Sequence, residues 1–327
     1  MEVWPHTSIS HTTPSCLQME SALARIQPYI HRTPVQTSQA LDHLAGATLF
    51  FKCENFQKMG AFKMRGAANA ILQLTEAERQ RGVATHSSGN FAQAMALAAQ
   101  MLGIPAYIVM PSNSPAVKKA AVRGYGGEII ECEPNLAARE ATLAQVVERT
   151  GATFIHPFND GNVIIGQGTA ALELLQDVPN IDLLIAPVGG GGLLSGTALA
   201  AHQFSPQTKV WAGEPAGAND AWQSKQAGKI IPQLNPQTIA DGLRTSLGDK
   251  TWPIIRDYVE RIVLVEEDEI IAALRLLMER MKIVVEPSGA VALAAVLKEK
   301  DALAGKRVGI ILSGGNVDLK ALGDFFG

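Results

Sequence analysis

Hydrophobic positions along the chain alternate between two periodicities, one typical of strands and one typical of helices. Short β-branched runs predict strands at 48–52, 83–86, 106–110, 128–132, 154–156, 183–187, 210–212, 262–265 and 308–312. Amphipathic runs between them predict helices, for example at 92–102, 137–149, 168–175, 267–280 and 290–298. Strands that alternate with helices in this way predict an α/β fold, with parallel sheets covered by helices on both faces.

The strand–helix pattern also predicts how the chain is divided. From Gly82 to about Ile155 it forms a βαβαβ unit, which we interpret as a small domain of residues 77–157 inserted into a large one. The large domain is then formed by 18–76 and 158–327, after an N-terminal tail of residues 1–17 rich in Ser, Thr, His and Pro. Because ligands of open parallel sheets bind at the carboxyl ends of strands, we expect the functional residues there.

Composition excludes several classes of protein. The chain has 327 residues, 47% hydrophobic and 18% charged, with a net charge of −3, so nucleic acid and anionic membranes are poor partners. Its three cysteines, Cys16, Cys53 and Cys132, are too few and too scattered for a disulfide framework. No signal peptide is evident, and no apolar run approaches the ~20 residues that span a bilayer. The cytoplasm is therefore the expected compartment.

Lys63 is the first candidate for chemistry. It lies between Phe62 and Met64, just after a glycine turn and at the start of a helical pattern. An amine in apolar surroundings loses its charge easily, and a neutral amine can attack a carbonyl. Taken alone, Lys63 is better read as an ordinary surface lysine.

A run of four glycines, Gly189, Gly190, Gly191 and Gly192, follows an apolar strand and precedes a helix. Such a run lets backbone N–H groups turn around one anion, and the helix N-terminus adds its positive end. It lacks the Lys-Ser/Thr of a Walker A loop and the spacing of a dinucleotide fingerprint. We interpret it as a phosphate site; a flexible turn is the alternative.

Two further polar segments lie at predicted strand ends. Ser87, Ser88 and Asn90 present hydroxyls, an amide and free N–H groups at a helix start, which suits a substrate carboxylate but also an ordinary N-cap. Ser313 follows the last predicted strand and could bond a ring nitrogen, or form a simple turn. A phosphate site, a carboxylate site and a desolvated lysine together indicate pyridoxal phosphate with an amino-acid substrate.

Five motifs of this chain together match one known family of enzymes. The chain resembles the fold-type II pyridoxal-phosphate enzymes, specifically the serine/threonine dehydratase and serine racemase group, over about residues 17–320. The motifs that carry the resemblance are Phe56-Gln57-Lys58-x-Gly60-x-Phe62-Lys63-x-Arg65-Gly66-Ala67, Ser87-Ser88-Gly89-Asn90, the four glycines, Glu286-Pro287-Ser288-Gly289 and Ser313-Gly314-Gly315-Asn316. Segments 240–248 and 251–257 look closest to serine racemases. The resemblance implies two doubly wound parallel-sheet domains of the tryptophan synthase β-like type, an active site in the interdomain cleft, and a homodimer.

The resemblance assigns cofactor roles to matched residues. Lys63 is implied to bind the cofactor covalently and then to act as the base at Cα. Phe62 is expected to flank the cofactor, Asn90 to bond its ring hydroxyl, and the four glycines to hold its phosphate. Ser313 is expected to face the pyridine nitrogen, where a neutral partner weakens the electron sink and favours short-lived carbanions, as suits elimination.

The substrate is implied to be a small hydroxyamino acid. Ser88, if it lies on the face opposite Lys63, can return a proton there and invert the centre. Arg139 falls where racemase-like chains carry an arginine near the substrate, and could orient a second carboxylate, as in 3-hydroxyaspartate; a solvated helix arginine is the alternative. The expected substrate-binding residues are Ser87, Ser88, Asn90, Phe91, Arg139 and Ser246.

A divalent-cation loop is also implied. Segment 214–220 matches that loop of the family, with carboxylates from Glu214 and Asp220 and a carbonyl from Ala218. Hard oxygen ligands suit Mg²⁺ or Ca²⁺. The alternative is a surface loop with two unrelated acids.

One residue departs from the family pattern, because Phe91 stands where a histidine usually follows Ser-Ser-Gly-Asn. Either its ring reshapes the pocket for a bulkier β-substituent, such as that of threonine or phenylserine, or the histidine is not needed for chemistry.

The expected activity is an ammonia-lyase that removes the β-hydroxyl of L-threonine or L-serine to give a 2-keto acid and ammonia, with racemase side activity. Serine racemase and a 3-hydroxyaspartate or phenylserine dehydratase are alternatives. A nicotinamide dehydrogenase and a non-catalytic amino-acid-binding protein fit less well, because neither explains Lys63. The chain ends at Gly327, directly after the catalytic motifs, so feedback by isoleucine through a C-terminal domain is not expected.

Overall fold

A computed structural model describes residues 16 to 326, and these residues form two sheets. The larger sheet has the order β1-β2-β10-β7-β8-β9, and all its pairs are parallel except that of β1 with β2. The smaller sheet is parallel throughout, with the order β5-β4-β3-β6. The strands are β1 Val35–Gln36, β2 Thr48–Cys53, β3 Val83–His86, β4 Ala106–Pro111, β5 Glu128–Cys132, β6 Thr153–Phe154, β7 Leu183–Pro187, β8 Lys209–Pro215, β9 Arg261–Val265 and β10 Arg307–Leu312.

Helices connect most successive strands. They are α1 Cys16–Ile26, α2 Gln39–Ala45, α3 Lys63–Leu72, α4 Glu76–Arg81, α5 Asn90–Leu102, α6 Ala116–Gly124, α7 Leu136–Thr150, α8 Gly161–Asp177, α9 Gly192–Phe204, α10 Asp220–Ala227, α11 Thr251–Tyr258, α12 Glu267–Leu276, α13 Pro287–Lys298, α14 Lys300–Leu303 and α15 Leu319–Phe326. None of the helices described is both long and apolar enough to cross a bilayer.

The α/β class with parallel sheets is confirmed, and most predicted strands are found within two or three residues of their predicted bounds. The smaller sheet contains β3 to β6, which come from the segment predicted to be inserted. The boundaries at 76/77 and 157/158 stay a prediction. Of the predicted tail, residues 1–15 lie outside the described residues, whereas α1 already begins at Cys16.

Three predicted elements were wrong in extent. The strand at 154–156 is Thr153–Phe154, because the His156 ring accepts backbone N–H groups in a turn instead. The helix predicted at 168–175 spans Gly161–Asp177, because glycines inside a helix weaken its sequence pattern. These glycines allow close packing: a Cβ at Gly168 would lie 2.7 Å from the carbonyl oxygen of Gly196 on α9. The helix at 267–280 ends at Leu276 and continues as a π-helix, Leu277–Met281.

A fully buried cluster of four charges supports the start of α3. Arg65 donates hydrogen bonds of 2.8 Å to Glu54 and of 2.8 and 3.0 Å to Glu173, and Lys52 donates to Glu173 at 2.7 Å. All four side chains have at most 1% of their surface exposed. Burial opposes ionisation of Glu173, but the hydrogen bonds and charges of Arg65 and then Lys52 keep its pKa below the usual value. The cluster joins β2, α3 and α8 just behind Lys63.

Candidate active site

Lys63 is the first residue of α3 and is half-buried between the two sheets. Its Nζ donates a 3.0 Å hydrogen bond to the carbonyl oxygen of Pro157. Burial lowers the pKa of the amine to about 8, although the charge of Glu286 opposes the shift. At pH 7 about a tenth of such amines are neutral, against about 0.03% for an ordinary lysine. The desolvated amine expected from the sequence is therefore present.

Two aromatic rings contribute to the desolvation of Lys63. Its Nζ lies 5.0 Å from the ring centre of Phe62 and 5.6 Å from that of Phe91. Phe91 is 2% exposed and packs in the core cluster that contains Met59, Met64 and Ile155. The ring thus lies beside the reactive amine, and whether it also limits the size of the substrate stays a prediction.

Asn90 is held between two side chains of the larger sheet's loops. Its Nδ2 donates to both carboxylate oxygens of Glu286, at 2.9 and 3.1 Å. Its Oδ1 accepts a 2.9 Å bond from Nδ2 of Asn316, which also donates to the carbonyl oxygen of Met59 at 2.8 Å. Asn90 therefore joins the loop after β3 to the loops before α3, before α13 and after β10.

Glu286 is a site residue to which the sequence assigns no role, although its Glu-Pro-Ser-Gly motif is one of those that carry the family resemblance. It is 3% exposed and occupies the N-cap position of α13, where its side chain makes no capping bond to the helix. Burial raises the pKa of its carboxyl group to about 7; hydrogen bonding from Asn90 opposes the shift, and the charge of Asp241 adds to it. A buried carboxyl that titrates near neutral pH, next to a titratable amine, is typical of functional sites.

The four-glycine loop is buried and opens α9. A Cβ at Gly190 would lie 2.4 Å from the ring of Phe158, so this position has room only for glycine. Gly191 has a φ of 89°, which favours glycine for its conformation. Thr251 fixes the loop by donating a 2.9 Å bond to the carbonyl oxygen of Gly190. The loop is thus a closely packed stretch of backbone that runs directly into the N-terminus of α9, an arrangement that fits the binding of a phosphate.

The predicted serines lie around the same junction. Ser313 is buried, and its carbonyl oxygen accepts a 3.0 Å bond from the backbone N–H of Phe62. Ser87 and Ser88 are half-buried at the start of α5, where the Ser87 hydroxyl accepts a 3.4 Å bond from Gly89. Ser246 accepts a 2.8 Å bond from the Gln233 N–H, which ties together two loop segments. The contacts of these side chains with cofactor or substrate stay predictions.

Two neutral histidines near Lys63 were missed. The Nδ1 of His156 accepts bonds of 3.3 and 3.0 Å from the backbone N–H groups of Phe158 and Asn159, which leaves the proton on Nε2. Burial lowers the pKa of His156 to about 3, with His86 and Lys63 adding smaller effects. No sequence signal marks these histidines, because strand β3 and the turn after β6 meet only in the folded chain.

Arg139, on α7, lies close enough to His86 to influence it. Burial, and then the charge of Arg139, lower the pKa of His86 to about 4. The Nε of Arg139 is buried, and finds no hydrogen-bond acceptor within residues 16–326. This donor is therefore both covered by protein atoms and unpaired among the described residues.

The predicted cation loop places two carboxylates in the interior. Glu214 is 0% exposed and accepts 2.8 Å bonds from the backbone N–H groups of Ala221 and Trp222, and Asp220 accepts one of 3.1 Å from Leu247. Burial and Asp220 hold the pKa of Glu214 well above its usual value, and burial raises that of Asp220 to about 7.

The other oxygen of Asp220 supports a cation at this loop. Oδ1 is buried without a hydrogen-bond partner in the described part of the chain. A cation would satisfy it and would stabilise both carboxylates in their charged form. Ala218, the predicted carbonyl ligand, is also buried in this loop. No three His, Cys, Asp or Glu side chains cluster as a metal site among residues 16–326, so backbone oxygen and water ligands would have to complete the site.

The residues present fit pyridoxal phosphate. A partly neutral amine lies between aromatic rings, and a loop that only glycine can form leads into a helix N-terminus. Both are at the carboxyl ends of parallel strands, where the sheets meet. This arrangement can hold a phosphorylated aldehyde and bring its carbonyl to the amine.

Comparison with known proteins gives the same answer. A family model described as "Pyridoxal-phosphate dependent enzyme" matches residues 26–314. The chain is 52% identical over 318 residues to serine racemase from Arabidopsis thaliana, with 95% of each chain covered. It is 50% identical over 309 residues to beta-hydroxyaspartate dehydratase from Paracoccus denitrificans (strain Pd 1222), with 94% of this chain and 98% of the relative covered.

A solved structure extends the likeness to the fold. Threonine deaminase from T.th. superposes with a TM-score of 0.89 at 46% identity, covering 93% of this chain and 99% of the other. The resemblance expected from the motifs is confirmed, and with it the cofactor: the chain belongs to the pyridoxal-phosphate-dependent enzyme family.

Proposed function

We propose that this protein is an ammonia-lyase that removes the β-hydroxyl of L-threonine or L-serine, giving a 2-keto acid and ammonia, with racemisation of the same substrates as a side activity. The observation that carries the proposal is Lys63, a half-buried amine with a pKa of about 8. The names of the relatives, a serine racemase, a beta-hydroxyaspartate dehydratase and a threonine deaminase, support both the substrate class and the pair of reactions.

The residues of the site divide the work of this reaction. When bound, pyridoxal phosphate supplies an electron sink that stabilises negative charge at Cα of the substrate. Lys63, once neutral, takes the proton from Cα. The serine hydroxyls and N–H groups at the start of α5 bind the substrate carboxylate, aided by the helix N-terminus. Phe62 and Phe91 exclude water from the amine.

The first test is the covalent attachment of the cofactor. The purified protein should show a visible absorbance band that borohydride fixes onto Lys63, and it should release keto acid from L-threonine or L-serine. Lys63→Ala should abolish both the covalent attachment of the cofactor by borohydride and the release of keto acid. Keto acid release by Lys63→Ala at the wild-type rate would overturn the proposal.

The role of Ser88 separates the two activities. If Ser88 returns a proton on the face opposite Lys63, Ser88→Ala should lose racemisation far more than elimination of the L-substrate, because only racemisation needs that proton. Ser87→Ala, one residue away, is the matched control. Equal loss of both activities in Ser88→Ala would contradict the assignment.

A second substrate, 3-hydroxyaspartate, is favoured by the unpartnered Nε of Arg139. A guanidinium with a free donor would bind a second carboxylate, which serine and threonine lack. Arg139→Gln should raise KM for 3-hydroxyaspartate by about tenfold or more, the effect of losing one charged hydrogen bond, and leave KM for threonine nearly unchanged. A parallel change for both substrates would remove Arg139 from this role.

A divalent cation, Mg²⁺ or Ca²⁺, is proposed at Glu214, Asp220 and the carbonyl of Ala218. The buried, unpartnered Oδ1 of Asp220 supports it. Chelation should lower both activity and melting temperature, and either cation should restore them. If activity and melting temperature stayed unchanged after chelation, the proposed cation site would be wrong.

A homodimer working in the cytoplasm is proposed by analogy with the family. Light scattering on the purified protein should give twice the chain mass. A monomer mass at micromolar concentration would contradict the dimer.

A further inference from the structure

Glu286 connects the two sheets through a single side chain. It lies at the start of α13, against the larger sheet, and its backbone N–H donates a 2.9 Å bond to the carbonyl oxygen of Gly314. Its carboxylate accepts from Asn90, which comes from the loop between β3 and α5 of the smaller sheet. Segment 86–91, which carries Ser87 and Ser88, thus meets the rest of the site at this contact.

The hydrogen-bonding chemistry of Asn90 defines which way its amide points. An ionised carboxylate can only accept, so Glu286 requires the NH₂ group on its side. The amide of Asn316 donates from the other side and requires the oxygen of Asn90 there. A protonated Glu286 would present a hydroxyl hydrogen at one of its two oxygens, so Asn90 could keep only the bond to the other oxygen, and that acceptor would be neutral.

The charges that face Glu286 come from three elements. Lys63 on α3 is close enough for the two groups to influence each other, which favours the carboxylate. Asp241, the first residue of the short turn 241–243 that packs on Gly189, opposes ionisation of Glu286, and Lys118 on α6 favours it. Lys118 and Asp241 are themselves an ion pair across the two sheets. The charge of Glu286 is thus balanced by groups from both sides of the junction.

We propose that Glu286 is a positioning residue, whose carboxylate holds Asn90 and, through it, segment 86–91 against the larger sheet. The importance of this segment for substrate rests on the proposed function, but the contact itself does not. Because burial raises the pKa of Glu286 to about 7, the carboxylate holds Asn90 by two bonds to a charged acceptor above that pH and more weakly below it.

Hydrogen exchange of the backbone amides of 86–91, in the full-length protein as purified, tests the proposal. Glu286→Gln at pH 8 should speed their exchange by up to about tenfold, because a charged acceptor of two bonds becomes a neutral acceptor of one. Glu267→Gln is the matched control: its carboxylate, at the start of α12, accepts a 2.7 Å bond from the Ile239 N–H and makes no bond to segment 86–91. Exchange should stay at the wild-type rate in this control.

Two further measurements exclude a merely structural effect. Asn90→Ala, which removes the contact from the other side, should give the same faster exchange, and adding Glu286→Gln to it should change nothing more. The difference between wild type and Glu286→Gln should shrink from pH 8 to pH 6. Unchanged exchange in Glu286→Gln, or additive effects of the two substitutions, would overturn the proposal. Hydrogen exchange does not require catalysis, so this test can be interpreted even if the protein proves to have no lyase activity.

Discussion

The buried charge cluster behind Lys63 allows a quantitative prediction about Glu173. This carboxylate accepts hydrogen bonds from Lys52 at 2.7 Å and from Arg65 at 2.8 and 3.0 Å. With Glu54, the cluster contains two positive and two negative charges. Glu173→Gln keeps the size of the side chain but leaves one positive charge unbalanced in an interior that water does not reach.

The expected loss of stability is large because water cannot reach the unbalanced positive charge and solvate it. Breaking one member of a buried ion pair typically costs about 3–5 kcal/mol, whereas an exposed pair is worth about 0–1 kcal/mol. With total stabilities of about 5–15 kcal/mol, the substitution should remove about a fifth or more of the free energy of unfolding. Lys52→Met in the same chain restores neutrality, so the double variant should be more stable than Glu173→Gln alone.

Urea unfolding followed by circular dichroism measures these differences. Asp177→Asn is the surface control, since it breaks the Arg32–Asp177 pair, whose side chains are 51% and 33% exposed. A loss below about 1 kcal/mol in Glu173→Gln, equal to that of Asp177→Asn, would refute the reasoning. A double variant that loses the sum of both single losses would show that charge balance is not what stabilises the cluster.

Three other predictions concern the site. Gly190→Ala should weaken binding of pyridoxal phosphate by about tenfold or more because its Cβ meets Phe158; Phe158→Ala should relieve the loss, and Gly124→Ala, which meets nothing, should be neutral in a spectroscopic titration. With a chelator present, the folded protein should become less stable as pH rises from about 4 to about 7, because the folded chain keeps the Asp220 proton over this range whereas the unfolded chain loses it. Asp220→Asn should flatten the dependence of melting temperature on pH, and an equally steep dependence would contradict this reasoning. Phe91→His should change the ratio of activities on serine and threonine; an unchanged ratio would mean that the ring does not shape the pocket.

The sequence was most informative where chemistry depends on neighbours along the chain. The four glycines predicted both the turn and the start of α9, because no other residue tolerates that backbone. Lys63 between two apolar residues favoured desolvation only in combination with the phosphate and carboxylate segments, and burial lowers the pKa of its amine to about 8. Order along the chain also predicted that all these segments lie at carboxyl ends of strands.

What could not be predicted depends on contacts between distant segments. Glu286 and Asn90 are 196 residues apart, and only the fold makes one the partner of the other. His156 was assigned to a strand, whereas its ring organises a turn next to Lys63. The internal glycines of α8 resembled breaks, although Gly168 permits the close approach of α9.

The strand order has a consequence for how the chain folds as it leaves the ribosome. β10, made last of the described strands, lies between β2 and β7 and pairs with both, so the larger sheet cannot close until synthesis is almost finished. The smaller sheet, built from one continuous segment, is free to fold much earlier. Until then β2, whose six residues become mostly buried, has an unpaired apolar edge that other chains can join. We therefore expect this nascent chain to depend on chaperones until its last strand is inserted.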